Sequence, residues 1–185
     1  KIFEIFEKSK CSLDFRDITR SAFVEYRENL QTALSGLTSS ELRWQPSPNS
    51  NHALWLTWHI ARVEDLWITR YVGGQDEVWI SGRWCEKLRL PAEGNGYGSS
   101  MGQISAFPDI SIAQVLAYFD EVHGSTLRVI ETLTDDDLDK NFPGRHWREP
   151  EGPKVNWVLS HLIIEASEHI GQVAFIRGML RGLNQ

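Results

Sequence analysis

Apolar residues recur at three- and four-residue steps in four long segments of the chain, a spacing that predicts four helices. The first runs from about Asp14 to Leu37, with Phe23, Tyr26, Leu30, Ala33 and Leu37 on one seam. The second runs from about His52 to Val72 and carries Leu56, His59, Val63 and Leu66. The third runs from about Ile112 to Leu133 along Ile112, Leu116, Phe119, His123, Thr126, Ile130 and Leu133, and the fourth from about Val155 to Leu180. No stretch sustains the period-two alternation of a half-buried strand, so the expected class is all-α.

Two short echoes organise these helices. Leu37-Thr38-Ser39-Ser40-Glu41-Leu42 and Leu133-Thr134-Asp135-Asp136-Asp137-Leu138 each read as a capping box, with Thr as N-cap and an acid three residues on. Asp reaches less far than Glu, which makes the second box the poorer one. Prolines follow both boxes, and then each half has its histidine-bearing helix, so a pair of αα-hairpins packed as a four-helix bundle is the economical architecture. About 35 residues, Gly73 to Phe107, separate helices two and three; they are rich in glycine and carry Trp79, Trp84 and Tyr97. A crossover of that length lies over one end of the bundle and lets helices two and three run in the same direction.

Polar residues interrupt the apolar pattern at telling places. On helix four, steps of four and three from Val158 give Leu162, Glu165, His169, Gln172, Ile176 and Met179, a seam that begins and ends apolar and so faces other helices. A carboxylate on such a seam must neutralise, pair or bind a metal. Residues four apart stack on one helix face, so Glu165 and His169 can share a cation. His59, on the apolar seam of helix two between Trp55 and Trp58, is the third candidate ligand. Two imidazoles and one carboxylate leave coordination positions open, which suits catalytic Zn²⁺ or Fe²⁺ more than a closed structural site. Zn²⁺ is the default for that donor set, and Ni²⁺ fits the same ligands. Glu165 and His169 by themselves also read as a buried ion pair; only His59 separates the two readings.

The remaining polar candidates surround that triad. His161 and Gln172 read as residues that orient a ligand, His161 also as a substitute ligand. His52 reads as a capping or solvent-facing residue, His123 as core packing or a substrate contact, and His146 as a loop residue at the site mouth or on the surface. Eight tryptophans gather around the histidines, and Trp55, Trp58, Trp84 and Trp147 are expected to form an apolar mouth.

Composition narrows the function classes. The length suits one domain over 1–185, with 1–12 as an N-terminal extension. Hydrophobic content of 41% with 24% charged residues argues against wholesale disorder. A net charge of −6 with scattered basic residues argues against a nucleic-acid or anionic-membrane partner. No apolar run approaches the roughly 18 residues of a membrane span. Cys11 and Cys85 make no disulfide framework, and the first turns lack the shape of a secretory signal, so a cytoplasmic location is expected. Cys85 has no evident base beside it in sequence and is not expected to be a catalytic thiol.

Trp58-His59-Ile60-Ala61-Arg62-Val63-Glu64-Asp65 resembles the H-L-x-x-x-E helix of the DinB/YfiT-like superfamily, and Glu168-His169-Ile170-Gly171-Gln172 its H-x-G-Q ending. Leu37 to Pro48, with Trp44 and Pro46, resembles the linker into helix two, and Val72-Gly73-Gly74-Gln75 the turn after it. The resemblance covers the chain from about Asp14. It implies an up-up-down-down four-helix bundle, often a homodimer, with a divalent metal held by His59, Glu165 and His169. Many members have His where Glu165 stands; the Glu form resembles the mycothiol-dependent maleylpyruvate isomerase branch. Members of known activity mostly activate a low-molecular-weight thiol, so the expectation is a metal-dependent, thiol-using S-transferase or isomerase acting on a small electrophile. The alternatives are a metal-dependent hydrolase using the same ligands and a non-catalytic, stress-related protein that binds metal or a small molecule.

Overall fold

Asp14 starts the first helix by accepting from the backbone of Arg16 and Asp17, while the Asp17 carboxylate reaches back to the Asp14 amide, a reciprocal cap. The computed structural model describes residues 14–142 and 152–182. In chain order they form α1 (Phe15–Leu34), α2 (Ser39–Leu42), and α3 (Ala53–Glu64), which continues as a π-helical segment, Asp65–Val72. The crossover carries α4 (Val78–Ser81), α5 (Trp84–Leu88) and α6 (Met101–Ser105); then follow α7 (Ile112–Thr132), a 3₁₀ turn at Asp135–Asp139, and α8 (Val155–Arg181). Among the described residues there is no strand, only an isolated bridge between Asn141 and Lys154.

Both capping boxes form. Glu41 reaches the Thr38 amide at 2.7 Å, and Asp137 reaches the Thr134 amide at 2.8 Å. The shorter acid succeeds because its turn is 3₁₀, in which residues three apart eclipse. The Arg181 guanidinium on the last turn of α8 forks onto Glu41 at 2.9 and 2.6 Å and also holds the Gly36 carbonyl, pinning α8 to the α1–α2 corner.

The second helix departs from its expected one-sided seam. Every residue from Ala53 to Thr69 is buried, including Arg62, Glu64 and Asp65. The physical reason is coverage: α7 and α8 pack on two sides, and the short crossover helices close over the remainder. Glycine makes one such contact close, since a Cβ on Gly73 would stand 2.8 Å from a Val129 methyl of α7.

Residue pairs give the helix directions. Arg20 meets Glu131 and Arg27 meets Asp120, so α1 and α7 are antiparallel. Arg62 meets Tyr118 and Glu64 meets His123, so α3 and α7 run together. His59 meets Glu165 and Trp67 meets Trp157, so α3 and its π segment oppose α8. The long crossover therefore sets α3 and α7 parallel, as its length predicted. The four directions in chain order are up-down-down-up, which replaces the up-up-down-down order. The short 35–52 connection returns the chain after α1, and only the long crossover can carry it back along the bundle. Among the described residues, no helix is long and apolar enough to cross a membrane.

Candidate metal centre

The face of α8 that carries Glu165 and His169 is not the middle of a core seam. Val158, Leu162 and Ile176 are buried, as expected, but Met179 is 51% exposed and Gln172 is also exposed. An α-helix drifts about 20° per heptad against a strict 3.5-residue repeat, and three heptads carry Met179 out of the core. The buried row is Val155, Leu159, Leu162, Ala166, Ile170 and Val173, with Glu165 and His169 on its edge. Their side chains are 22% and 19% exposed, against 6% for His59. The site is thus reachable from one side and packed on the other.

The structure brings together the three residues that the sequence picked out. His59, Glu165 and His169 each offer one ligand atom, and these atoms lie within 4.8 Å of one another. His59 Nε2 stands 3.5 Å from Glu165 Oε1, and His169 Nε2 stands 3.9 Å from the same oxygen. Ligand atoms around a tetrahedral zinc lie roughly 3.3–3.5 Å apart, so small side-chain movements convert one spacing into the other. The donor set fits a divalent cation.

A backbone carbonyl selects the tautomer of His59. His59 Nδ1 lies 2.5 Å from the Asn95 carbonyl oxygen, which can only accept, so Nδ1 donates and the Nε2 lone pair faces Glu165. The indole of Trp55 stacks on the same ring, at 4.8 Å between centroids and 13° between planes. His169 Nδ1 lies 3.3 Å from Gln172 Oε1, and its Nε2 is turned toward Glu165. Burial, and next the neighbouring His59, hold the His169 imidazole below its ordinary pKa, favouring the neutral form that a metal needs.

His161 extends the cluster. Its Nε2 is 3.8 Å from Glu165 Oε2, and Trp157 stacks on its ring at 4.3 Å. Other candidates lie elsewhere. His52 is the N-cap of α3: Nδ1 accepts from the Trp55 amide at 3.1 Å, and Nε2 lies 3.2 Å from the Ile104 carbonyl. His123 meets the buried Glu64 at 3.3 Å, on the α7 side. His146 and Trp147 lie outside the described residues. The expected tryptophan mouth is also revised. Trp84 packs on Tyr118 and donates to Glu121, Trp58 packs on Trp79 and Phe107, and it is Trp55 and Trp157 that stack on site histidines.

Sequence reasoning missed a buried ionic cluster on the opposite side of α3. Arg62 pairs with Glu77 at 2.8 Å and approaches Asp65 at 3.4 Å, while Tyr118 donates to Asp65 at 2.8 Å. Asp65 also accepts from the Val78 and Trp79 amides, anchoring α4. Arg62 further donates to the Gly94 carbonyl, one residue before Asn95. The available signal was Gly94-Asn95-Gly96, a glycine-flanked turn downstream of the histidine helix.

Residues 19–182 match the model of the mycothiol S-transferase family. Among curated proteins, none matches the sequence. In structure the chain is similar to a conserved protein from Enterococcus faecalis, with a TM-score of 0.81 and 21% identity over 92% of this chain and 99% of that one. At that identity the likeness speaks for the fold alone. With a match that reaches into all four long helices, the chain belongs to the mycothiol S-transferase family, a DinB-like family.

Proposed function

We propose that this protein is a divalent-metal-dependent enzyme that joins a low-molecular-weight thiol to a small electrophile, or isomerises such an electrophile through the thiol. His59, Glu165 and His169 are the metal ligands in this reading. The observation that carries it is the convergence of two imidazoles and one carboxylate within 4.8 Å, in a chain of this family. A divalent cation there, Zn²⁺ by default with Fe²⁺ or Ni²⁺ fitting the same donors, lowers the pKa of a thiol at its open position and makes thiolate available near neutral pH.

The chain's own groups supply the rest. His59 and His169 present their Nε2 atoms to Glu165, and the partial exposure of Glu165 and His169 lets a cosubstrate approach from one side. One turn along the α3–α8 seam, an open groove of about 540 Å³ lined by Asn49, Asn51, Leu56, Glu168, Gln172 and Phe175 offers room for the body of the thiol. Its amides and carboxylate over an apolar floor suit a hydroxyl- and amide-bearing molecule. In the transfer, a sulfur–carbon bond forms, the electrophile's leaving group departs, and the thiol proton passes to solvent. The family's name makes mycothiol the first thiol to test. Solution in the cytoplasm and pairing as a homodimer complete the proposal.

Protein expressed without a histidine tag is expected to carry about one equivalent of metal, to lose it in His169→Ala, and to consume mycothiol with a panel of electrophiles. Turnover of ester or amide substrates without thiol would replace this reading with a hydrolase. Stoichiometric metal without any turnover would make the protein a binding protein. Equal metal content in wild type and His169→Ala would overturn the ligand assignment.

A further inference from the structure

His59 and Arg62 leave the same helix one turn apart and take hold of consecutive carbonyls some thirty residues downstream. The His59 ring bonds the Asn95 carbonyl at 2.5 Å, and the Arg62 guanidinium bonds the Gly94 carbonyl at 3.3 Å from Nε and 3.2 Å from Nη2. The loop is shaped for this approach. Gly94 and Gly96 have φ of +87° and +96°, conformations that other residues resist. A Cβ on Gly96 would stand 2.9 Å from His59 Nδ1, 2.9 Å from Trp55 and 3.0 Å from Trp58. Between the glycines, the Asn95 side chain accepts from the Tyr97 amide at 3.0 Å, a local turn that leaves its backbone carbonyl aimed at His59.

Arg62 is itself immobilised. It is 2% exposed, paired with Glu77 and Asp65, and its guanidinium lies 4.8 Å from the Trp79 ring centre. A planar fork held on that side can present a fixed pair of N–H groups to the Gly94 carbonyl, which a flexible lysine ammonium cannot.

We propose that Arg62 is a positioning residue for the metal site: it clamps Gly94, and through Asn95 it fixes the tautomer and orientation of His59. This deepens the reading of His59 as a ligand and rests on it. Backbone partners of ligating histidines influence affinity by about 10–100-fold. Arg62→Lys and Gly96→Ala are therefore each expected to weaken zinc binding about 10–100-fold, measured by chelator competition.

The second readout is ¹⁵N-histidine NMR of metal-free protein, which reports the proton position on each ring. Wild type is expected to show His59 protonated on Nδ1, and both variants a mixture of tautomers, with unchanged helical circular dichroism. Asn95→Ala keeps the carbonyl but loses the local turn, and is expected to show the same change in milder form should either variant fail to fold. Wild-type His59 protonated on Nε2, or variants with wild-type zinc affinity and tautomer, would overturn the proposal. Failure of wild type to bind zinc would sink the ligand reading, while the NMR result would still decide the clamp.

Discussion

Two polar clusters flank α3, and they are built on opposite principles. On the α7 side, Arg62, Asp65, Glu77 and Tyr118 are buried, and each carboxylate meets a guanidinium, a phenol or backbone N–H groups. On the α8 side, the Nδ1 atoms of His59 and His169 turn away toward Asn95 and Gln172. The atoms left facing each other, two Nε2 and one carboxylate oxygen, are atoms of the kind that ligate metals. The first cluster neutralises itself from within the chain; the second is complementary to a cation. A list of buried charged residues would place the functional site on the wrong side of the helix. What distinguishes the sides is which partners are donors.

The largest expected effect breaks the self-sufficient cluster. Arg62→Met leaves Asp65 buried without its cation and Glu77 with only the outlying Arg70, and should cost about 3–5 kcal/mol in metal-free denaturant unfolding. Glu165→Gln, by contrast, changes a partly exposed group that meets imidazoles but no Lys or Arg among the described residues, and should cost less than about 1 kcal/mol in the same experiment. Comparable losses from the two substitutions would erase the distinction.

Metal addition should reverse the order of sensitivity. At a free zinc concentration 100 times the Kd, wild type should gain about 2.7 kcal/mol of unfolding free energy, and His169→Ala or Glu165→Gln should gain little at that concentration. Calorimetric melting with and without zinc makes the comparison.

Acid gives a smaller, graded effect. Burial holds the His52 imidazole below its ordinary value of 6.5, with the Ile104 carbonyl bond opposing it in part. Its stabilising contribution is complete above that value and is lost as pH falls from there toward the lowered folded value, because the unfolded chain takes up the proton first. His52→Asn keeps an N-capping side chain and should flatten, though not abolish, the fall in stability over that window; an unchanged slope would count against His52 as its source.

The smallest effect lies at the α8 pin. The Arg181 fork, and then the Thr38 bonds, hold the Glu41 carboxyl at about 2, well below its ordinary 4.5. The benefit is present above 4.5 and disappears as pH falls toward 2. Because the pair lies at the surface and is only partly buried, Arg181→Ala should lower the melting point only slightly at neutral pH, and high salt should shrink the difference.

These contrasts also show what the sequence can express. The four long helices were legible because their apolar residues keep a helical period for five or more turns, and both capping boxes were legible from three-residue spacings. The triad was legible because Glu165 and His169 share one face and His59 breaks an apolar seam. Three things were not. The Asn95 carbonyl is a backbone atom and leaves no residue-type signature. Arg62 and Asp65 look like an ordinary solvent-facing pair three residues apart until the crossover covers them. The direction of each helix depends on which connector can span the bundle, a property of three-dimensional reach rather than of periodicity.

His59 and Glu165 stand more than a hundred residues apart in the chain, and on helices that run in opposite directions. Under the proposed ligand assignment, a cation between them would be a removable staple joining α3 to α8, comparable in sequence span to a long-range disulfide but reversible by a chelator. α3 and α8 cannot part without releasing it. In this metal-loaded form the lifetime of the folded state is tied to the metal off-rate, so resistance to proteolysis becomes a readout of coordination.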